Sequence, residues 1–309
     1  MVRVDVNGFV EMSEILKINN LSWQKLVDIS IGNDDRIYFL FAENTPERKG
    51  GTVPTTNEST YQAIALTVDW YNGDVYSDDF IDFGFLSINF HYIQPIEDNF
   101  LLLGARSHLY KNGETDKNAL IIDSSGNKLK SFCLGDGIAD CIVDSENNII
   151  TSYFDEGVIG NKGWTNPLGS CGVVKWSMNG EKLWENKNNT IVDCYAMNID
   201  DNNDLWFYTY PEFRLIKTNY KTEKIFDPIV KYSYGFLISQ DKTAILMQKG
   251  LNEKGFCIMK TGNNKSLEPE DCEIVYGDKE LNIKQFSFRS SKAVFLDENY
   301  EVYYVNWIC

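Results

Sequence analysis

Helical periodicity is what this sequence most conspicuously lacks. No stretch holds a 3.6-residue apolar repeat for three turns between capping residues, which excludes a helical bundle or an alternating α/β fold. Histidine is nearly absent: His91 and His108 are the only two, so imidazole-based metal or triad chemistry has few options. The seven cysteines contain no CxxC pair, and several sit inside apolar runs, as Cys141 and Cys194 do, where a thiol behaves as a small hydrophobe. No apolar run approaches bilayer length, and the N-terminal residues are interrupted by Arg3, Asp5 and Glu11, unlike a signal peptide. A reducing cytoplasm is the expected compartment. Positive charge is also short, with 29 Lys and Arg against 45 Asp and Glu and a net charge of −16. That balance argues against nucleic acid or an anionic membrane as partner and makes a basic protein the natural complement. With no Pro-, Ser- or Gly-rich linker, residues 1–309 read as a single domain and a monomer.

What the chain does have is a repeated hairpin grammar. From Ile138 to Phe154 an apolar run, an Asp/Asn-rich turn (Asp144 to Asn148) and a second apolar run read as an antiparallel hairpin. The pattern recurs around Asn33–Asp35, Glu97–Asn99, Asp200–Asp204, Gln240–Lys242 and Asp297–Asn299. The anchors Ile37, Phe100, Ile149, Leu205, Ile245 and Val302 lie 63, 49, 56, 40 and 57 residues apart. A repeat of this size built from hairpins predicts an all-β propeller with one four-stranded antiparallel sheet per repeat. Second hairpins follow from Leu120, Val173, Leu215 and Cys257, completing strands A–B and C–D of each blade.

The ends complement one another. Val2 to Ile15, turning at Asn7-Gly8, reads as a C–D hairpin with nothing before it, and Ser291 to Ile308 as an A–B hairpin with nothing after it. Together they predict the sixth blade and a closed ring; the long first repeat leaves room for a seventh. In such a meander the tight Asn-rich turns mark one face. The long glycine-bearing connections at 43–60, 77–87, 105–118, 133–137, 155–172 and 277–283 mark the other, where function tends to sit.

The loop of 155–172 carries five glycines and one proline around Trp164. Its glycine spacing is not that of a dinucleotide-binding turn, and no helix follows to receive a phosphate. The expected contacts on this face are Asp136, Asp155, Glu156, Trp164, Arg106 and His108, the bland alternative being a self-packed loop plugged by Trp164. The run GDGIxDxxxDxxxxIxxSYFDEGVxGxxGW, from Gly135 to Trp164, resembles a motif in a loosely defined group of bacterial propeller-like proteins. The resemblance covers about 30 residues and implies the fold rather than a reaction.

Counting back from the first anchors places Asp28, His91 and Asp140 near the starts of innermost strands, with Asp193 three residues out of register. Such a carboxylate ring could hold Ca²⁺, though these residues more often bind backbone amides or water. Cys171 with His108 is a weaker nucleophile pair, since no family-specific motif surrounds it. The expected function is non-catalytic binding of a basic protein, such as a toxin to be neutralised. A metal-dependent hydrolase or lyase, and a sugar-binding propeller using Trp164, Phe80 and Phe83, are the alternatives.

Overall fold

The computed structural model describes residues 2–46, 53–250, 255–261 and 266–308. The fold is a six-bladed β-propeller of four-stranded antiparallel sheets. At the N-terminus β1 (Val2–Asp5) and β2 (Gly8–Val10) precede α1 (Met12–Ile18) and a 3-10 turn at Trp23–Lys25. The first blade is β3 (Leu26–Ile31), β4 (Ile37–Ala42), β5 (Thr56–Val68) and β6 (Val75–Ile88). The second is β7 (Tyr92–Ile96), β8 (Asn99–Leu103), β9 (Ala119–Ile122) and β10 (Lys128–Phe132). The third is β11 (Ile138–Val143) and β12 (Ile149–Tyr153), then α2 (Asp155–Ile159), β13 (Val173–Trp176) and β14 (Lys182–Glu185). The fourth is β15 (Asp193–Ile199), β16 (Leu205–Tyr210), β17 (Arg214–Thr218) and β18 (Glu223–Pro228). The fifth uses β19 (Phe236–Ile238), β20 (Ala244–Gln248), β21 (Phe256–Lys260) and, beyond the short β22 (Ser266–Leu267), β23 (Glu270–Tyr276). After β24 (Lys279–Glu280), the sixth is β25 (Ile283–Arg289), β26 (Lys292–Asp297) and β27 (Val302–Asn306), with β2 as its fourth strand.

The turn residues explain why the repeat is so regular. Asp144 Oδ1 accepts from the amides of Glu146 and Asn148 at 2.9 and 2.8 Å, and Asp200 Oδ1 does the same for Asn202 and Asp204 at 2.9 and 3.2 Å. Asp123 and Asp297 repeat the arrangement. Three residues after each aspartate the backbone turns left-handed, at Gly126, Asn147, Asn203 and Tyr300. An Asp opening the turn thus serves the same local hydrogen bonds in blade after blade, with Asn or Gly at the left-handed position in three of these four turns and Tyr300 in the last.

The chain falls into two compact units. One comprises Lys17–Leu66 and Asp78–Cys194, the other Met1–Leu16, Thr67–Ser77 and Tyr195–Cys309. In the first, Leu40, Ala63 and Ala65 pack against Ile93, Leu102 and Ile122, and Leu101, Leu103 and Ile121 against Val143, Ile149 and Val174. In the second, Trp206, Tyr208 and Phe226 meet Phe236, Ile245 and Met247, while Leu237, Leu246 and Ile258 meet Phe295, Tyr303 and Val305. Within each unit the facing sheets bury one another's apolar side chains, so strands such as β4, β8 and β20 read as near-continuous apolar runs. The hairpin tip between β5 and β6 joins the second unit, because Asn7 donates to Tyr71 O at 2.6 Å and Trp70 meets the Tyr304 ring edge-on at 5.6 Å.

Three details differ from the pattern read along the chain. The acidic segment 77–87, expected as a connection, is most of β6, with Ile81, Phe83 and Leu86 buried and Phe80 and Phe85 exposed. Positive φ at Gly84 shifts the alternation by one residue, and Asp78, Asp79 and Asp82 mask the rest. In the fifth blade the strand after β21 is β23, not the nearer Ser266–Leu267, which pairs parallel with β18. Closure by terminal strands holds, but the shares differ: β25, β26 and β27 supply three strands of the sixth blade and β2 the fourth. β1 leaves β2 to lie parallel to β23. Residues 47–52 of the connection expected at 43–60, and Cys309, lie outside the described residues.

Candidate functional site

Three connections of the first unit, 105–118, 133–137 and 155–172, are tied into one cluster by buried polar bonds. Asn118 is their hub: its side-chain amide donates to Gly104 O and Gly135 O at 2.8 and 2.9 Å, and its Oδ1 accepts from Leu134 N at 3.0 Å. The Tyr153 hydroxyl at the end of β12 donates to Leu134 O at 2.5 Å, and the ring lies flat against Gly169, where any side chain would collide with it. Gly137 and Gly157 let two backbones touch. A Cβ on Gly137, whose φ is +72°, would fall 2.3 Å from Gly157 N.

At the centre of the cluster is an ion triad. Asp136, fully buried, receives Arg106 Nε and Nη2 at 2.8 Å each, and the Ser107 amide at 2.9 Å. Arg106 Nη2 also reaches Glu156 Oε2 at 2.5 Å, and its guanidinium lies 5.4 Å from the centre of the Phe154 ring. Burial opposes the charge on Arg106, yet the two carboxylates outweigh it and hold the guanidinium above its ordinary range. The bidentate geometry is the one in which a buried pair repays its desolvation.

The residues expected as contacts therefore divide. Asp136 and Arg106 pair with each other inside the cluster. Trp164 is 7% exposed and donates its indole N–H to Ser107 O at 2.9 Å, so it plugs the loop from within. Glu156 is half-buried against Arg106, and the His108 ring lies 4.6 Å from that of Tyr110, tilted by 36°. Asp155 faces solvent, and so does Ile159 four residues on, 69% exposed at the end of α2.

The metal candidates are likewise divided. Asp28 Oδ2 accepts from Ile93 N at 3.1 Å; burial, with the charge of Asp140 adding to it, pushes this carboxyl up to about 7. Asp140 accepts from the Cys141 amide at 2.7 Å. Both residues follow a register shift at the start of an innermost strand, β3 or β11, which accounts for their equal spacing from the anchors. His91 Nδ1 accepts from Ala105 N at 3.1 Å, and burial lowers its pKa to about 4, so the ring is neutral. Asp193 stands near Asp155 instead, its carboxyl raised to about 7 by burial and then by that neighbour's charge. Among the described residues no three His, Cys, Asp or Glu side chains are grouped to hold a metal ion. Cys171 donates its thiol to Val173 O at 3.2 Å, and burial raises its pKa, the opposite of an activated nucleophile.

A second cluster went unread in the sequence: aromatic rings at the end of the fourth blade, around Tyr195. The signal available was density, since YAMN, WFYTYPEF and KYSYGF all fall within about 40 residues.

No protein-family model matches the chain, and no curated protein matches it by sequence. Solved structures do. A chain of the mitotic checkpoint complex is similar at a TM-score of 0.51 and 8% identity, over 99% of this chain and 94% of that one. A gluconolactonase from Xanthomonas campestris gives 0.46 and 9%, over 98% and 96%. Streptogramin B lyase gives 0.46 and 10%, over 92% and 84%. At 8% identity the first of these likenesses speaks for the fold alone. No helix among the described residues is long and apolar enough to cross a membrane.

Proposed function

We propose that the protein is a non-catalytic binding propeller that recognises a basic protein through the outer surface of its three-loop cluster. The observation that carries this reading is α2. Its Asp155 and Ile159 both face solvent, four residues apart, on a turn pinned beneath by the Gly137–Gly157 approach and the Arg106–Glu156 pair. An exposed aliphatic residue on a rigid support serves as an interface anchor because little conformational entropy remains to be lost on docking. The net charge of −16 favours a partner of opposite sign and would speed its encounter. A basic toxin is one such partner, and a cytoplasmic setting fits the six described cysteines being thiols.

The test is capture from cytoplasmic extract on immobilised wild type, followed by affinity measurement with the purified captured protein. Ile159→Asp is expected to weaken binding at least about tenfold, and raising salt from 50 to 500 mM to weaken it further, as screening predicts. A captured protein that binds Ile159→Asp and wild type equally would place the interface elsewhere.

A further inference from the structure

At the loop end of the fourth blade, within the second unit, five aromatic rings surround Tyr195. Tyr208, Tyr210, Phe213, Tyr232 and Tyr234 have ring centres 6.4, 6.1, 6.4, 6.2 and 5.3 Å from it. The elements explain the gathering. Tyr195 stands near the start of β15, Tyr208 and Tyr210 close β16, Phe213 occupies the turn into β17, and Tyr232 and Tyr234 lie in the connection to β19. Tyr208 is buried and anchors the group by donating to Val230 O at 2.6 Å. Tyr232 and Tyr234 are 37% and 49% exposed, and Tyr195, Tyr210 and Phe213 lie between the two extremes.

The backbone also bends to present these rings. Phe213 and Tyr232 have φ of +53° and +58°, a conformation that bulky residues rarely adopt, and their rings meet edge to face at 4.7 Å. Glycine or asparagine would fit both positions without strain, so the structure carries a backbone cost to place aromatic rings there. Tyr195 and Phe213 also pack against the core of the fourth blade, whose interior is filled by Trp206, Leu215 and Phe226, whereas Tyr232 and Tyr234 lie outside that core and are exposed.

We infer that this cluster is a binding platform for a neutral sugar residue. A pyranose presents a face of polarised C–H bonds to an aromatic ring and hydroxyls round its edge, so it suits rings that carry hydroxyls and adjoin charged groups. Lys231, whose ammonium lies 5.7 Å from the centre of the Phe213 ring, supplies a donor at the rim, and the exposed Glu212, ion-paired with Arg214, precedes Phe213 in the turn. Lys231 also selects against a cationic ligand, because a second ammonium on these rings would meet the one already there. The net charge of −16 selects against an anionic one. The site is independent of the α2 surface and shares no residue with it.

The test is titration of the whole protein with neutral oligosaccharides on an array of gluco-, manno-, xylo- and N-acetylglucosamine oligomers, with solution affinities measured for the hits. Binding in the micromolar to millimolar range is expected, weakened at least about tenfold by Tyr234→Ala and by Tyr232→Ala and left intact by Ile159→Asp. These two tyrosines are exposed, so the variants should fold, and an unchanged melting temperature checks that they do. No binding to any neutral glycan would overturn the inference. So would affinity unaffected by both substitutions, or a proline-rich decapeptide binding the rings where sugars do not.

Discussion

The three-loop cluster of the first unit and the aromatic cluster of the second are built from opposite materials. In the first, a charged pair turns inward: Arg106 and Asp136 are buried, while Asp155, Ile159, Tyr110, Lys111, Glu114 and Lys117 stay at the surface. In the second, aromatic residues turn outward, with Tyr232 and Tyr234 exposed and Lys231 beside them. Residue type alone would assign them the other way round, charge to the surface and rings to the core. Charge can be buried where a bidentate partner is present, and rings can be exposed where neighbouring rings hold them. In both places the neighbour, not the residue, decides the role.

Breaking the ion triad should have the largest effect. Asp136→Ala leaves Arg106 buried opposite only the half-exposed Glu156, and denaturant unfolding should show a loss of about 3–5 kcal/mol. A loss under about 1 kcal/mol would mean that the triad is solvated and not structural. Asp28 comes next and acts through pH. Its carboxyl, pushed up to about 7 in the folded state against about 4 unfolded, stays protonated in the fold while the unfolded chain gives up its proton. Its contribution is therefore fully present below pH 4 and lost as pH rises to 7, by about 3–4 kcal/mol at about 1.4 kcal/mol per pKa unit. His91, lowered to about 4, works in the opposite sense as pH falls from 6.5. Comparing wild type with Asp28→Asn at each pH isolates the first effect, and the variant's advantage should grow from pH 4 to pH 8. An advantage that does not change with pH would show Asp28 ionised throughout.

Gly137→Ala tests the close approach beneath α2. The left-handed backbone alone costs about 1–2 kcal/mol, and the contact with Gly157 adds to it. A stability unchanged in thermal unfolding would show that the two loops can part without cost. Trp164→Phe keeps most of the plug and removes one buried hydrogen bond, with an expected loss of about 1 kcal/mol or more, since Ser107 O is left without that donor. At the small end, Tyr232→Ala and Tyr234→Ala should each change stability by about 0.5 kcal/mol or less, as exposed substitutions do. A loss of about 2 kcal/mol from either would turn the aromatic platform into an ordinary piece of core and remove the contrast between the two clusters.

The blade grammar was legible because its causes are local. An aspartate that caps its own turn, followed three residues later by a residue tolerant of positive φ, needs no distant partner, so Asp144 and Asp200 announce their hairpins from the sequence. The same locality exposed the equal placement of Asp28 and Asp140, which both follow a shift at the start of an innermost strand. β6 was hidden for the converse reason. Its acidic residues are those of a loop, and only packing against blade two, where Phe83 meets Phe100 at 5.4 Å, shows that the segment is a strand. The metal candidates were read from spacing along strands, and spacing does not say which way a side chain leans: His91 turns to Ala105, and Asp193 stands near Asp155.

By itself the sequence determined the all-β class, the repeated hairpins and their turns, since each rests on hydrogen bonds and alternation spanning fewer than about twenty residues; the involvement of both termini in closure was read from half-blades left over at the two ends. Only the tertiary structure decided that β1 and β2 part into different sheets and that Arg106 and Asp136 face each other rather than a partner. It alone brought the tyrosines of three separate segments together around Tyr195. Those outcomes turn on burial and desolvation, which are set by residues tens to hundreds of positions away, and a linear pattern does not record what lies across a loop.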